Sequence, residues 1–355
     1  MTATTTRAAR TGRMPAEWAE HEACLMVWPT RPELWGPAFE AAKREYAAVA
    51  RAISAFEPVI MIAAPGRGDE ARTACDAGDA VRDGAHPIEV IELPVDDSWV
   101  RDSGPIFALT PDGGRVGVDF RFNAWGEKHH PWSADDKLAS LLLDRLGDPR
   151  VHSSMILEGG SLTVDGEGTL ITTEQCLLHP NRNPRMSRAE IEDELRRRLG
   201  VEKIVWLPYG GLEDTETDGH VDGVAAFVGP ARVVVSLPED PAHPDYARMR
   251  ANLAVLEAST DARGRAFEVV AVPQTTHGEV AGVPVEVGYL NFYLANGGCV
   301  VPVGGDHPES DAAALAVLAS ALPGRKVVGV PTPVLAYGGG GVHCITQQLP
   351  KAARA

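Results

Sequence analysis

Near residue 340 the chain reads "AYGGGGVHC", with Gly338 to Gly341 set ahead of Val342, His343 and Cys344. Glycine loses more conformational freedom on folding than any other residue, so four in a row need a compensating reason. Close approach of a ligand to the backbone is one such reason, and a plain loop is the alternative. Three further segments join glycine to ionisable or aromatic groups. They are Trp99, Arg101 and Asp102 in "WVRDSGP", Glu158 in "LEGGS", and His220 with Asp222 in "DGHVDG". Taken singly, each has an ordinary structural explanation as a turn, a cap or a buried polar group.

Assembled in one pocket, these groups would define a reaction. A free cysteine of pKa near 8.5 is only a few per cent thiolate at neutral pH, so a nucleophilic Cys344 needs a base or a cation beside it. In extended backbone His343 and Cys344 face opposite sides, which makes His343 a bystander and His220 the base. The i, i+2 spacing of His220 and Asp222 turns both side chains to one face of an extended segment, and it also suits a pair of metal ligands. Asp102, Glu158 and Asp222 together are too negative to shelter an oxyanion. They suit a planar cation with several N–H donors, because a guanidinium can be held by carboxylates along more than one edge. Charge-assisted hydrogen bonds of this kind are worth about 1.5–3 kcal/mol each. The bound cation would lower the thiol pKa, and the thiolate would attack the guanidinium carbon. His220 would protonate the departing ammonia and then activate water against the covalent thiouronium, leaving a ureido product.

Loops this far apart in sequence meet only if the fold repeats. Apolar residues at helical spacing cover 37–56, and the bounded run "PVIMIAAP" follows as a strand. The same order recurs in a helix near 134–146 before "VHSSMIL", the helix "SRAEIEDELRRRLG" before "KIVWLP", a helix near 244–260 before "FEVVAV", and a helix near 310–322 before "KVVGVP". "SLTVDGEGTLITT" reads as a hairpin turning at Asp165-Gly166 and Glu167-Gly168. Each ionisable motif lies just past the strand that follows a helix. About 56 residues separate Asp102 from Glu158, about 62 separate Glu158 from His220, and about 124, or two steps, separate His220 from Cys344. Five strand, strand, helix, strand units fit the 355 residues, and a cyclic array would bring equivalent loops to one axis.

Composition narrows the partners. The chain is 44% hydrophobic and 23% charged, which permits a large core, and no Ser/Pro-rich linker divides it. A formal net charge of -16 disfavours nucleic acid and anionic membrane as partners and favours a cationic ligand. Cys24, Cys75, Cys176, Cys299 and Cys344 are odd in number and scattered without a CxxC pair, against both a disulfide framework and a structural zinc site. The first four read as inert buried thiols. No stretch approaches the roughly eighteen apolar residues of a membrane helix, and the N-terminal segment has no apolar signal core, so the expected location is cytoplasmic.

The motifs "MPAEW", "DDSWVRDSGP", "LEGGSLTVDGEGTLITTEQCLLHPNRNP", "TDGHVDG", "YLNFYLANGGCVVPV" and "GGGGVHCITQQ", in this order from Met14 to Gln348, resemble the agmatine deiminase and bacterial-type peptidylarginine deiminase family. That family belongs to the guanidine-modifying superfamily. The resemblance implies an α/β fold, a five-bladed α/β propeller of the pentein kind built from pseudo-fivefold ββαβ repeats. It implies one catalytic domain over 14–350, between an N-terminal arm over 1–13, expected to be disordered, and a short tail over 351–355. Residue by residue, it implies Cys344 as nucleophile, His220 as acid and base, and Glu158, Asp102 and Asp222 as the carboxylates that hold the guanidinium or support the histidine. Trp99 and Gly340 would line the substrate site, and Asp214 with Glu216 would meet a distal amine. No cofactor and no metal are implied, and a homodimer or larger homo-oligomer is expected.

Three positions depart from the family pattern: Gly223 stands where Asn is common, "VPTPVLAY" around Thr332 to Leu335 replaces an Arg-Glu pair, and Gly341 replaces Asn. The reacting groups are intact and the altered positions surround them. The expected reaction is hydrolysis of agmatine to N-carbamoylputrescine and ammonia, a step of polyamine synthesis. Deimination of peptidyl or free arginine, or of a specialised guanidine, is the alternative within the chemistry. A metal hydrolase using His220, Asp222, Glu158 and Cys344 as ligands, and a guanidine-binding module without turnover, are the alternatives outside it.

Overall fold

The computed structural model describes residues 11–77 and 84–353. Each of the five expected helix and strand pairs forms. Helix Phe39–Ser54 leads to strand Val59–Ala63, Asp135–Leu146 to Arg150–Ile156, Arg188–Leu199 to Lys203–Leu207, Tyr246–Glu257 to Glu268–Val272, and Pro308–Ala321 to Lys326–Pro331. The first helix buries Ala42, Tyr46, Val49 and Ile53, a stripe at i, i+4, i+7 and i+11, against a core that includes Val59 and Met61. Full burial of a side chain the size of Ile53 contributes about 1.5–3 kcal/mol. Helix Arg188–Leu199 starts on a capping box between Ser187 and Glu190 and stops at Gly200, whose φ of 67° is left-handed.

One pairing pattern recurs. The strand before each helix pairs antiparallel with its predecessor and parallel with the strand after the helix, the connection a parallel pair requires. Strands Arg115–Arg121, Thr169–Thr173, Arg232–Ser236 and Gly298–Val303 hold this central position in four sheets. In the fifth, His21–Val27 pairs antiparallel with Thr346–Pro350 and parallel with Val59–Ala63, while Ile88–Glu92 adds an outer strand. The two ends of the chain are thereby joined in one sheet, with Met26 opposite both Thr346 and Met61. The architecture is α/β.

Alternation along the central strands explains why they read as continuous apolar runs. Val233 and Val235 enter one core while Val234 enters the next, and Leu170 and Ile171 divide in the same way. Each face of such a strand is buried, so only the loops at the strand ends are free to carry chemistry. The expected hairpin is present between Leu162–Val164 and Thr169–Thr173, with Gly166 and Gly168 at positive φ. A second hairpin, Thr275–Val280 with Val283–Gly288, stands outside the recurring order and was not expected.

Of the arm expected over 1–13, residues 1–10 lie outside the described residues, whereas Arg13 exchanges backbone hydrogen bonds with Leu109 at 2.9 and 2.8 Å. In the tail, the Lys351 and Ala353 amides donate to Glu20 and Gly113. Among the described residues no helix is long and apolar enough to cross a membrane.

Candidate active site

Three loops meet at Gly160, and a fourth joins them where Cys344 approaches Asp222. Asp102 lies in the helical turn Val100–Ser103, Glu158 directly precedes the turn Gly159–Ser161, His220 directly precedes the turn Val221–Gly223, and Cys344 precedes strand Thr346–Pro350. A Cβ added to Gly160 would fall 2.6 Å from His220 Nδ1 and 3.0 Å from both Asp102 Oδ1 and Asp222 Oδ2. The Gly160 amide donates to Asp102 Oδ1 at 2.9 Å, and His220 Nδ1 lies 3.9 Å from the same oxygen. Cys344 Sγ is 3.7 Å from Asp222 Oδ2 and 3.3–3.4 Å from the Asn291 amide atoms. Glu158 is fully buried, with Oε1 accepting from Arg182 Nε at 2.5 Å and Oε2 unpaired among the described groups. The shared orientation of His220 and Asp222 arises from a turn, correcting the extended segment inferred from their i, i+2 spacing.

Above these groups opens a pocket lined by Trp99, Trp125, Asp97, Asp102, Glu216 and Cys344, among others. Trp125 Nε1 donates to Asp102 Oδ2 at 3.0 Å, which fixes the second oxygen of that carboxylate. Glu216 is half-exposed and pairs with His129 Nε2 at 2.9 Å. Asp214 does not line the pocket; its carboxylate accepts from the Thr217 amide at 2.9 Å and the His220 amide at 3.1 Å. It braces the loop that presents the histidine.

The glycine run has a packing reason. A Cβ on Gly338 would fall 2.2 Å from Trp35, one on Gly340 would fall 2.4 Å from Trp99 and 3.2 Å from the Cys344 Cβ, and one on Gly341 would fall 2.5 Å from Asn291 Oδ1. Aromatic rings and an amide therefore fill the space beside Gly338, Gly340 and Gly341, while Gly338 and Gly339 also line the pocket that holds Cys344. The three departures also have structural settings. Gly223 faces open space, Gly341 yields room to Asn291, and the turn Pro333–Tyr337 has its first amides, Val334 and Leu335, capped by Glu45 at 3.0 and 2.8 Å.

Comparison with known proteins agrees with this geometry. The Porphyromonas-type peptidyl-arginine deiminase family matches residues 13–350. The chain belongs to that family. An agmatine deiminase of Pseudomonas aeruginosa is 44% identical over 97% of this chain and 96% of its own, and one of Stutzerimonas stutzeri is 43% identical over 95% of each. Among solved structures, the agmatine deiminase of Enterococcus faecalis, described as catalysing its reaction, superposes with a TM-score of 0.87 at 35% identity over 96% of both chains.

Within this member of the deiminase family, charge at the site is arranged before any substrate arrives. Burial pushes the Cys344 thiol well above its ordinary pKa, and Asp222 and Asp102 push it further, so the resting sulfur is a neutral thiol. Burial would lower His220, but the carboxylates of Asp102 and Asp222 outweigh it and push the imidazole well above its ordinary pKa, so it rests charged. Asp102 is raised, by burial first and by Asp222 and Glu158 after it, against His220 and the Gly160 amide.

His343 is part of the site, which corrects its reading as a bystander. Its Nδ1 bonds Asp222 Oδ2 at 2.9 Å and its Nε2 bonds Glu17 Oε2 at 3.0 Å. Burial would raise Asp222, yet the hydrogen bond and charge of His343 bring it below its ordinary value. Burial likewise favours a neutral Glu17, but His343 and Arg101 hold it at about 2. His343 itself is raised, Glu17 and Asp222 overcoming burial and Arg101. Asp222 thus meets a substrate as a fixed anion. Asn291, Trp125, Arg182 and Cys176 are further residues at the site to which the sequence reading gave no role. Glu17 in "MPAEW", Cys176 and Arg182 in "TTEQCLLHPNRNP" and Asn291 in "YLNFY" all fall within the family motifs, whereas Trp125 falls in none.

Proposed function

We propose that this protein is a guanidine deiminase acting on agmatine, through a covalent intermediate on Cys344. The observation that carries the proposal is the convergence of Cys344, His220, Glu158, Asp102 and Asp222 beneath a carboxylate-rich, tryptophan-walled pocket. The agmatine deiminases among its relatives support the substrate. So does the pocket lining, which among the described residues contains Asp97, Glu216 and His129 but no lysine or arginine to receive the α-carboxylate of free arginine. Glu216, half-exposed on this lining, is the proposed partner of the distal ammonium, and Trp99 and Trp125 flank the alkyl chain.

The steps follow from the charges. Guanidinium binding beside Cys344 lowers the thiol pKa, and the thiol proton leaves to solvent. The thiolate adds to the guanidinium carbon held by Glu158, Asp102 and Asp222. Protonated His220 gives its proton to the leaving nitrogen, ammonia departs, and a cationic thiouronium remains on sulfur. Neutral His220 then takes a proton from water as the oxygen adds to carbon. Collapse expels the thiolate, and loss of the remaining proton gives the neutral ureido product.

The recurring sheets, with cores alternating between them and both chain ends in one sheet, support reading the α/β fold as a five-bladed propeller. They also support 14–350 as one catalytic domain. A cytoplasmic homodimer or larger homo-oligomer accords with the family resemblance.

The substrate reading is tested by a panel of agmatine, free arginine and an arginyl peptide, scored by ammonia and ureido product. The expected result is that agmatine leads in kcat/KM by about 100-fold or more, the order of the cost of bringing the α-carboxylate of arginine into the pocket without a partner. Faster turnover of either arginine form would reject agmatine as the substrate. A second expectation concerns the brace behind Asp222. Glu17→Gln removes the charge that raises His343, so His343 should lose its proton at lower pH. The alkaline limb of kcat/KM should then move down by about one pH unit or more, while activity near neutrality falls less. An unmoved limb would show that the His343 charge does not support Asp222.

A further inference from the structure

Cys176 has no part in the reaction above, yet it sits against two groups that do. Glu158, Cys176 and His220 each offer one ligand atom, and the three atoms lie within 4.8 Å of one another. All three residues are buried, at 0%, 0% and 3% exposure. Glu158 Oε2 and both ring nitrogens of His220 are buried without a hydrogen-bond partner among the described groups. Arg182 fixes the carboxylate from the other side through Oε1, which leaves the second oxygen available.

We infer that Glu158, Cys176 and His220 form a binding site for a soft divalent cation of the zinc or cadmium type, whose occupancy switches the enzyme off. Carboxylate, thiolate and imidazole are the donors such ions prefer, and bonds of about 2.0–2.3 Å need the ligand atoms to draw in by roughly an ångström. Three protein ligands leave a fourth position for water. Burial of Cys176 argues against oxidation or alkylation as its role. Binding requires Cys176 to release its thiol proton and His220 to be neutral, so protons pass to solvent and affinity falls with falling pH. Glu158, the thiolate and the nearby Asp102 and Asp222 together outweigh the Arg182 charge. The ion takes from the guanidinium the carboxylate that would grip it, and from the reaction its acid and base. The inhibitory half of this inference rests on the deiminase reading; the binding half does not.

Cadmium titration of the full chain separates the two. The inactive Cys344→Ala protein should bind one cadmium ion per chain, with a thiolate-to-cadmium absorption band and a first shell containing one sulfur by X-ray absorption. Cys176→Ser should lose the band and weaken binding by about 100-fold or more. A first shell without sulfur in Cys344→Ala, or a band that persists in Cys176→Ser, would overturn the site. In the wild type, cadmium should inhibit agmatine turnover competitively, with a potency that drops by the same factor in Cys176→Ser. If agmatine is turned over but Cys344→Ala binds no cadmium, the site falls and the deiminase reading stands. If cadmium binds as described and turnover is unaffected, the switch is rejected.

Discussion

Cys344→Ala is expected to abolish turnover, by about 10⁴-fold or more, without unfolding the protein. The substitution deletes one sulfur atom at a site that is 8% exposed and bordered by Asn291 and Gly340, so its structural cost is that of a small cavity. Nothing else in the pocket can replace it. Of the other cysteines, Cys24, Cys75 and Cys299 have thiols pushed up by burial and do not line the pocket, and Cys176 lies behind His220. The resting state of Cys344 gives the prediction a second readout. Because burial and two carboxylates keep the thiol neutral, a neutral alkylating agent should label it slowly near pH 7 and faster only above the ordinary thiol range. A cationic amidine of similar reactivity should label it rapidly at pH 7, since it brings the charge that substrate would bring. Mass spectrometry should find a single adduct at Cys344. Equal rates for the two reagents, or an adduct elsewhere, would remove the substrate-assisted thiolate from the mechanism.

What could be read in advance was whatever depends on local spacing. The 3.6-residue stripe of helix Phe39–Ser54 and the apolar run Val59–Ala63 encode their own geometry, and the same holds for their four counterparts. Cys344 and His220 were marked by the glycines beside them, although each motif alone also reads as a turn, a cap or a buried polar group, and only the regular spacing of the motifs pointed to one pocket. What stayed hidden depends on contacts between distant loops. His343 looked like a bystander because adjacent residues of a strand face apart, but it precedes the strand, and it reaches the same Asp222 oxygen as Cys344 does. Asp214 sits near Glu216 in sequence, yet the backbone between Asp214 and His220 curls to place the Asp214 carboxylate on amides. Asn291 and Trp125 have no ionisable group to mark them, and their contacts to Cys344 and Asp102 span 53 and 23 residues.

Gly160→Ala is the other substitution expected to cost most of the activity, and it removes no functional group at all. The methyl group would stand 2.6 Å from His220 Nδ1 and 3.0 Å from Asp102 Oδ1 and Asp222 Oδ2, all distances inside normal contact. These three groups cannot all retreat, because Asp102 is tied to Trp125 and to the Gly160 amide, and Asp222 is tied to His343. His220 makes no such bond, so it should be displaced most, and an acid and base misplaced by about an ångström costs about 100-fold in rate. The expected result is a fall of about 100-fold or more in kcat, with a smaller change in KM because Glu158 still accepts the guanidinium. Gly223→Ala supplies the control. A Cβ there meets nothing within 4 Å, and neither glycine has the positive φ that would itself strain an alanine. The two variants therefore carry the same chemical change and the same gain in backbone order, about 0.4–1 kcal/mol. They differ in what the methyl group touches. Gly223→Ala should keep near wild-type kcat, so equal losses in the two, or full activity in Gly160→Ala, would mean that His220, Asp102 and Asp222 do not act from the positions they hold around Gly160.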